Sequence, residues 1–248
     1  MHIDWLEQTE DDVPAHDEWL AKCEFLRMET LRVPKRRSDW RLGRWTAKHA
    51  VAAYLGLPFS DESLQKIEIR PDASGAPEVY IHDEPVALSI SLSHSARLAM
   101  CALGPSEVAL GCDIELIEAR GPGFVSDYFT PEEQQMIAQA AAVDRDQLVT
   151  TLWSAKESAL KATRCGLRVD TRSAAISFED EWCTRFGLLA EHSPYSQASL
   201  CSLDRWSPLC AHIDRQPFYG WWRCADHLTR TVVSDVPIQA PACLAPSR

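Results

Sequence analysis

The sequence predicts an α+β fold. Three observations point there: a helical stretch over residues 38–55, a strictly alternating strand over 108–116, and a succession of elements without a regular βαβ rhythm. In the first stretch Trp40, Leu42, Trp45, Ala47 and Val51 mix with Arg41, Arg44 and Lys48, and Gly56-Leu57-Pro58 ends it. Residues 67–70 read as a short strand, followed by a turn at Pro71-Asp72-Ala73-Ser74-Gly75. Strands over 88–93 and 98–103 come next, the second continuously apolar. The break at Gly104-Pro105-Ser106 sets the expected boundary between two halves, residues 1–106 and 107–248.

In the alternating strand, Val108, Leu110, Cys112, Ile114 and Leu116 point one way. Ala109, Gly111, Asp113 and Glu115 point the other. Thr130 reads as an N-cap, with Pro131 at the first helical position and Glu132 and Glu133 behind it. A second helix is expected over 147–164, ended by Gly166, and strands over 174–178 and 219–233 precede a Pro-containing tail. No internal repeat is expected from the letters.

With 248 residues, 46% of them hydrophobic, the chain can bury the core of one large domain or two modest halves. A net charge of −11 repels a phosphate backbone, so no nucleic-acid partner is expected, although local basic clusters can still hold a small phosphorylated ligand. The first twelve residues do not read as a secretory signal, and no apolar run approaches the roughly 20 residues that span a bilayer. A cytoplasmic protein without a membrane partner is expected. The nine cysteines are scattered without metal-ligand spacing and read as reduced thiols packed as small hydrophobes.

Asp113 and Glu115 share a strand face with the small residues Ala109 and Gly111. Side by side, two such acids repel unless a cation sits between them, and oxygen ligands of this kind suit Mg²⁺ completed by substrate phosphates. A solvated strand face presents the same two letters. On the 147–164 helix, Trp153, Glu157, Lys161 and Arg164 fall on one stripe opposite Leu152, Ala155, Ala159 and Ala162. Glu157 and Lys161 also have the spacing of a surface ion pair. Ser93-His94-Ser95 closes a strand, where a histidine can be structural or ligand-binding. Arg36, Arg37, Arg41 and Arg44 form either a phosphate-binding cluster or a solvated face.

Taken in order, these segments resemble the 4′-phosphopantetheinyl transferase family in its larger, surfactin-synthetase-activating type. The likeness runs from about Arg36 to Arg172, with fainter support from Gly220-Trp221-Trp222-Arg223. Its Gly-x-Asp-x-Glu pattern is Gly111-Cys112-Asp113-Ile114-Glu115. Its Trp-Ser-x-Lys-Glu-Ser-x-x-Lys signature is Trp153-Ser154-Ala155-Lys156-Glu157-Ser158-Ala159-Leu160-Lys161. Between them stands Phe129-Thr130-Pro131-Glu132-Glu133, and ahead of them Ser93-His94-Ser95.

The resemblance implies two similar α+β halves in one chain, a pseudo-dimer. It implies transfer of the 4′-phosphopantetheine moiety of coenzyme A to a serine of an apo acyl or peptidyl carrier protein, with release of 3′,5′-ADP. Asp113, Glu115 and Glu157 would hold Mg²⁺, and Lys161 with Lys156 would neutralise the transferring phosphate. Ser93, His94, Arg41 and Arg44 would grip the other phosphates of coenzyme A. Glu157, directly or through a water, would act as base toward the carrier serine, and the enzyme would act as a monomer. Two departures stand out. Gly75-Ala76-Pro77 has alanine where the family often has a basic residue, so one phosphate contact is expected to be either missing or supplied by Arg70. Arg164-Cys165-Gly166-Leu167 lacks the first glycine of a Gly-x-Gly-Leu turn. The alternatives are another Mg²⁺-dependent phosphoryl- or pyrophosphate-cleaving enzyme, or a silent module that binds coenzyme A or a carrier.

Overall fold

Residues 1–164, 169–178 and 205–244 are described by this computed structural model, and they form two units. The N unit spans Ile3–Val108 with the segment from Ala242 onward, and the C unit spans Ala109–Pro241 with Met1–His2.

The N unit contains β1 (Asp4–Thr9), α1 (Lys22–Glu29), α2 (Pro34–Leu55), α3 (Asp61–Lys66), β2 (Ile67–Pro71), β3 (Pro77–Ile81), β4 (Glu84–Pro85), β5 (Leu88–Ser95) and β6 (Leu98–Pro105). The long helix begins earlier than its apolar spacing suggests because Pro34 is tolerated in the first turn. Gly56, at φ 66°, caps it in the left-handed conformation that costs glycine nothing. Ala47, Ala50 and Val51 are fully buried and let α2 lie close on β1 and β6.

The C unit contains β7 (Leu110–Leu116), α4 (Pro122–Tyr128), α5 (Pro131–Gln139), α6 (Arg145–Ala162), β8 (Ala174–Ser177), β9 (Ser207–Ile213), β10 (Gln216–Ala225) and β11 (Leu228–Ser234). The expected Thr130 cap is present as a reciprocal box: its hydroxyl accepts from the Glu133 N–H, and the Glu133 carboxylate accepts from the Thr130 N–H. The stretch 219–233 is the β10–β11 hairpin, turned at Asp226 and His227, both at positive φ. Finally β12 (Ala242–Cys243) returns to the N unit and pairs in parallel with β1. The ends exchange further bonds: Met1 donates to the Pro237 carbonyl, and the Gln239 and Ala242 N–H groups donate to the Met1 and Ile3 carbonyls.

Both halves are α+β and similar. In the C unit one sheet runs β7-β11-β10-β9-β8; in the N unit the corresponding run is β1-β6-β5, then β3 and β2 across a break in hydrogen bonding. The letters carry the same duplication, contrary to expectation: Trp45-Thr46-Ala47-Lys48 in α2 matches Trp153-Ser154-Ala155-Lys156 in α6. Both lysines are fully buried. Lys48 meets Glu24 at 2.5 Å and donates to the Trp19 and Leu64 carbonyls; Lys156 meets Glu133 at 2.8 Å and donates to the Thr171 and Ala174 carbonyls. Each glutamate also accepts a backbone N–H from the following sheet, Ile69 for Glu24 and Ile176 for Glu133.

Among the described residues Cys23, Cys101, Cys112, Cys224 and Cys243 are free thiols, whereas Cys210 is disulfide-bonded, against the expectation of reduced thiols throughout. No helix among them is long and apolar enough to cross a membrane.

Candidate active site

Close packing of α6 on β7 positions the acidic residues. A Cβ on Gly111 would lie 2.7 Å from the Ala162 nitrogen and nearer still to the Ser158 carbonyl oxygen, so only glycine admits the helix there. The face shared by Gly111 and Asp113 is therefore covered by the helix instead of being open. Hydroxyls fix the register. Ser158 Oγ lies 2.7 Å and Ser154 Oγ 2.9 Å from Thr231 Oγ1, on the β11 residue paired with Asp113. A third bridge joins Thr151 to Thr229 at 3.2 Å. The signature serines thus stitch helix to sheet, a role that the sequence reading missed.

On this frame Asp113 is 4% exposed and accepts from Lys161 Nζ at 2.8 Å, while Lys161 also donates to the Cys112 carbonyl at 2.9 Å. Burial alone would lower the Lys161 pKa, but Asp113 and its other negative neighbours outweigh it and raise the value. Glu115 Oε1 accepts the Trp153 indole N–H at 3.3 Å. Burial and then Asp113 raise the Glu115 pKa. Glu157 is pushed up to about 7, first by burial and further by Asp113 and Glu115, with Lys161 opposing. Its Oε1 is buried and makes no hydrogen bond among the described residues.

Lys156 departs from its expected role. Its ammonium is fully occupied by Glu133 and two carbonyls beneath the surface, so it braces the C unit and presents no charge to a phosphate. Arg41 departs similarly: it is tied to Asp17 at 2.9 Å and to the Pro14 and His16 carbonyls. Arg44, Ser93 and His94 do come together within the N unit, lining a cavity of about 390 Å³ with Arg27 and Arg36. Arg44 and Arg70 line a second cavity of about 510 Å³, where Arg70 is held by Glu68 and Asp83 and lies over the Tyr80 ring. Ala76 donates its N–H to Asp72 within the turn. Of the Arg164-Cys165-Gly166-Leu167 turn, all but Arg164 lies outside the described residues.

Among the described residues no three His, Cys, Asp or Glu side chains are already gathered in a group that could hold a metal ion. The chemistry of Asp113, Glu115 and Glu157 nevertheless fits a cation. Asp113 raises the cost of ionising Glu115, both raise that of Glu157, and the buried Glu157 oxygen lacks a donor.

A family model described as the 4′-phosphopantetheinyl transferase superfamily matches residues 109–222. Holo-[acyl-carrier-protein] synthase of Streptococcus agalactiae is 31% identical over 84 residues, 34% of this chain and 71% of that protein. The 4′-phosphopantetheinyl transferase HetI of a Nostoc strain is 23% identical over 164 residues, covering 65% of this chain and 67% of that one. Among solved structures, a holo-(acyl-carrier-protein) synthase of Bacillus anthracis in complex with coenzyme A aligns at a TM-score of 0.36 and 23% identity, over 41% of this chain and 92% of that one. The chain belongs to the 4′-phosphopantetheinyl transferase superfamily. It is a phosphopantetheinyl transferase.

Proposed function

We propose that this transferase moves the 4′-phosphopantetheine arm of coenzyme A to a serine of an apo acyl or peptidyl carrier protein, with Mg²⁺ held by Asp113, Glu115 and Glu157, and releases 3′,5′-ADP. The electrostatic coupling of Glu157 to Asp113 and Glu115 supports the reading, above all through the buried Glu157 oxygen without a donor. When bound, the cation supplies positive charge to the coenzyme A pyrophosphate.

The chain's own residues account for the rest. Lys161, fixed on Asp113, offers a positive charge to the phosphate being transferred. Glu157, directly or through a water, would accept the proton of the serine hydroxyl. The serine oxygen forms a bond to the phosphorus that carries the pantetheine, the bond to the 3′,5′-ADP oxygen breaks, and the serine proton passes to the base. In-line displacement needs no covalent enzyme intermediate. Arg44, Ser93 and His94 around one cavity would hold the 3′-phosphate, with Arg70 at the neighbouring one. Such an enzyme would act in the cytoplasm.

Mass spectrometry of an apo-carrier incubated with the protein, coenzyme A and Mg²⁺ tests this. One added phosphopantetheine on a single serine is expected, and chelation should abolish it. Asp113→Asn and Glu157→Gln should each slow transfer at least about a hundredfold with an unchanged circular dichroism spectrum. Asparagine is preferred to alanine at 113 because it still offers Lys161 an acceptor. Near-normal turnover in either variant would refute the metal assignment, and nucleotide cleavage without any carrier would favour a hydrolase.

A further inference from the structure

Two groups from different elements hold Glu115. Trp153 of α6 donates to Oε1 at 3.3 Å, and Arg120, between β7 and α4, stands 3.8 Å from Oε2. Arg120 is itself anchored. Its Nη2 lies 3.1 Å from Glu118 Oε1, and its guanidinium carbon sits 5.1 Å from the centre of the Phe124 ring. Phe124 in turn packs edge-on against Trp153, with ring centres 5.1 Å apart. A guanidinium laid on an aromatic face keeps its fork in place at little further entropic cost. With a side chain only 25% exposed, its charge is partly shielded from solvent. Arg120 therefore stands between two acids, one half-exposed and one facing the catalytic cluster.

We propose that Arg120 is a positioning residue that competes with the divalent cation for Glu115, and that Glu118 draws it away, so that the pair sets the metal concentration at which the site fills. This rests on the metal-binding role proposed for Glu115. A cation that takes up Glu115 must share the carboxylate with a guanidinium less than 4 Å away, and like charges at such range oppose one another. Glu118 offsets that opposition by offering Arg120 the shorter contact. Removing the arginine should ease cation entry, and removing Glu118 should hinder it.

Mn²⁺ is the probe. Thermal unfolding of the full chain with coenzyme A present is followed across a Mn²⁺ titration, and free Mn²⁺ is read by electron paramagnetic resonance. Arg120→Gln should lower the Mn²⁺ midpoint about fivefold, Glu118→Gln should raise it about threefold, and Arg120→Lys, which lacks the planar fork, should fall between Arg120→Gln and the parent. An unchanged or raised midpoint in Arg120→Gln overturns the competition. An unchanged or lowered midpoint in Glu118→Gln overturns the counterweight. General loosening of the segment would weaken binding in both, a pattern that excludes the proposal. A parent protein that ignores Mn²⁺ altogether would instead remove the metal role of Glu115, an outcome distinct from a responsive parent with unresponsive variants.

Discussion

Aligned on the Trp-(Thr/Ser)-Ala-Lys repeat, the N and C units part company at the very next residue, His49 in one and Glu157 in the other. Five positions past the buried lysine they differ again, with Ala53 in the N unit and Lys161 in the C unit. His49 packs against Trp45 at 4.1 Å and Phe59 at 5.2 Å, and burial pulls its pKa down to about 4, so it is neutral at physiological pH. Glu157 is half-buried among charges and pushed up to about 7. Both positions resist ionisation, the first among aromatic rings and the second beside Asp113 and Glu115. The lysine–glutamate pair is thus a scaffold element that the two units share, whereas the candidate site residues Glu157 and Lys161 stand in one copy and His49 and Ala53 in the other.

The shared pair gives the sharpest way to break this comparison. Truncating one partner of a buried ion pair leaves the other charge uncompensated, so Lys156→Met should cost about 3–5 kcal/mol in urea unfolding. Lys48→Met should cost less, because Arg44 Nε stands 3.8 Å from Glu24, whereas Glu133 has no second cation within ion-pair distance among the described residues. A larger loss for Lys48→Met would mean that the two frames are not equivalent.

A smaller effect distinguishes Glu157 from His49 by pH. The folded-state pKa of Glu157 lies above its unfolded value of 4.5, so the metal-free protein keeps this contribution to stability below pH 4.5 and loses it as pH rises to about 7. The loss should be on the order of 2 kcal/mol, absent in Glu157→Gln and suppressed by Mg²⁺. Melting temperatures of both proteins between pH 5 and pH 8 measure it, and parallel curves would disprove it. The smallest effect contrasts two glycines. Gly43 in α2 has nothing within 4 Å of where a Cβ would stand, so Gly43→Ala should stabilise the helix by about 0.5–1 kcal/mol. Gly111→Ala should destabilise, since α6 must move; equal melting temperatures for the two variants would contradict the packing described for β7.

Much of this was legible in the letters. Alternation gave β7, although both faces of the strand are buried, Cys112 and Ile114 on one and Gly111 and Asp113 under α6 on the other, and Thr130-Pro131-Glu132-Glu133 gave the start of α5. Motif order singled out Asp113, Glu115 and Glu157 as the candidate acids. What escaped has physical causes. In β1, Trp5 and Leu6 are adjacent and both buried, so the strand shows no alternation, and its partner β6 lies far along the chain. Lys156 and Arg41 read as phosphate ligands because the family resemblance implied it, and only the acceptors contributed by other segments of the chain bury or bind them. The Trp45-Thr46-Ala47-Lys48 repeat was the available signal that Lys156 is structural. Arg120 carried no pattern of its own; its position matters only through Glu115, Glu118 and Phe124.

The interleaved ends have a consequence for cutting the molecule apart. Severing the peptide between Val108 and Ala109 leaves a first polypeptide without β12 and a second without the Met1 contacts to Pro237 and Gln239. Neither fragment is self-sufficient, because each holds a strip of the other's edge. Recovery of a divided protein would follow the meeting of its two pieces, so its yield would depend on their concentration.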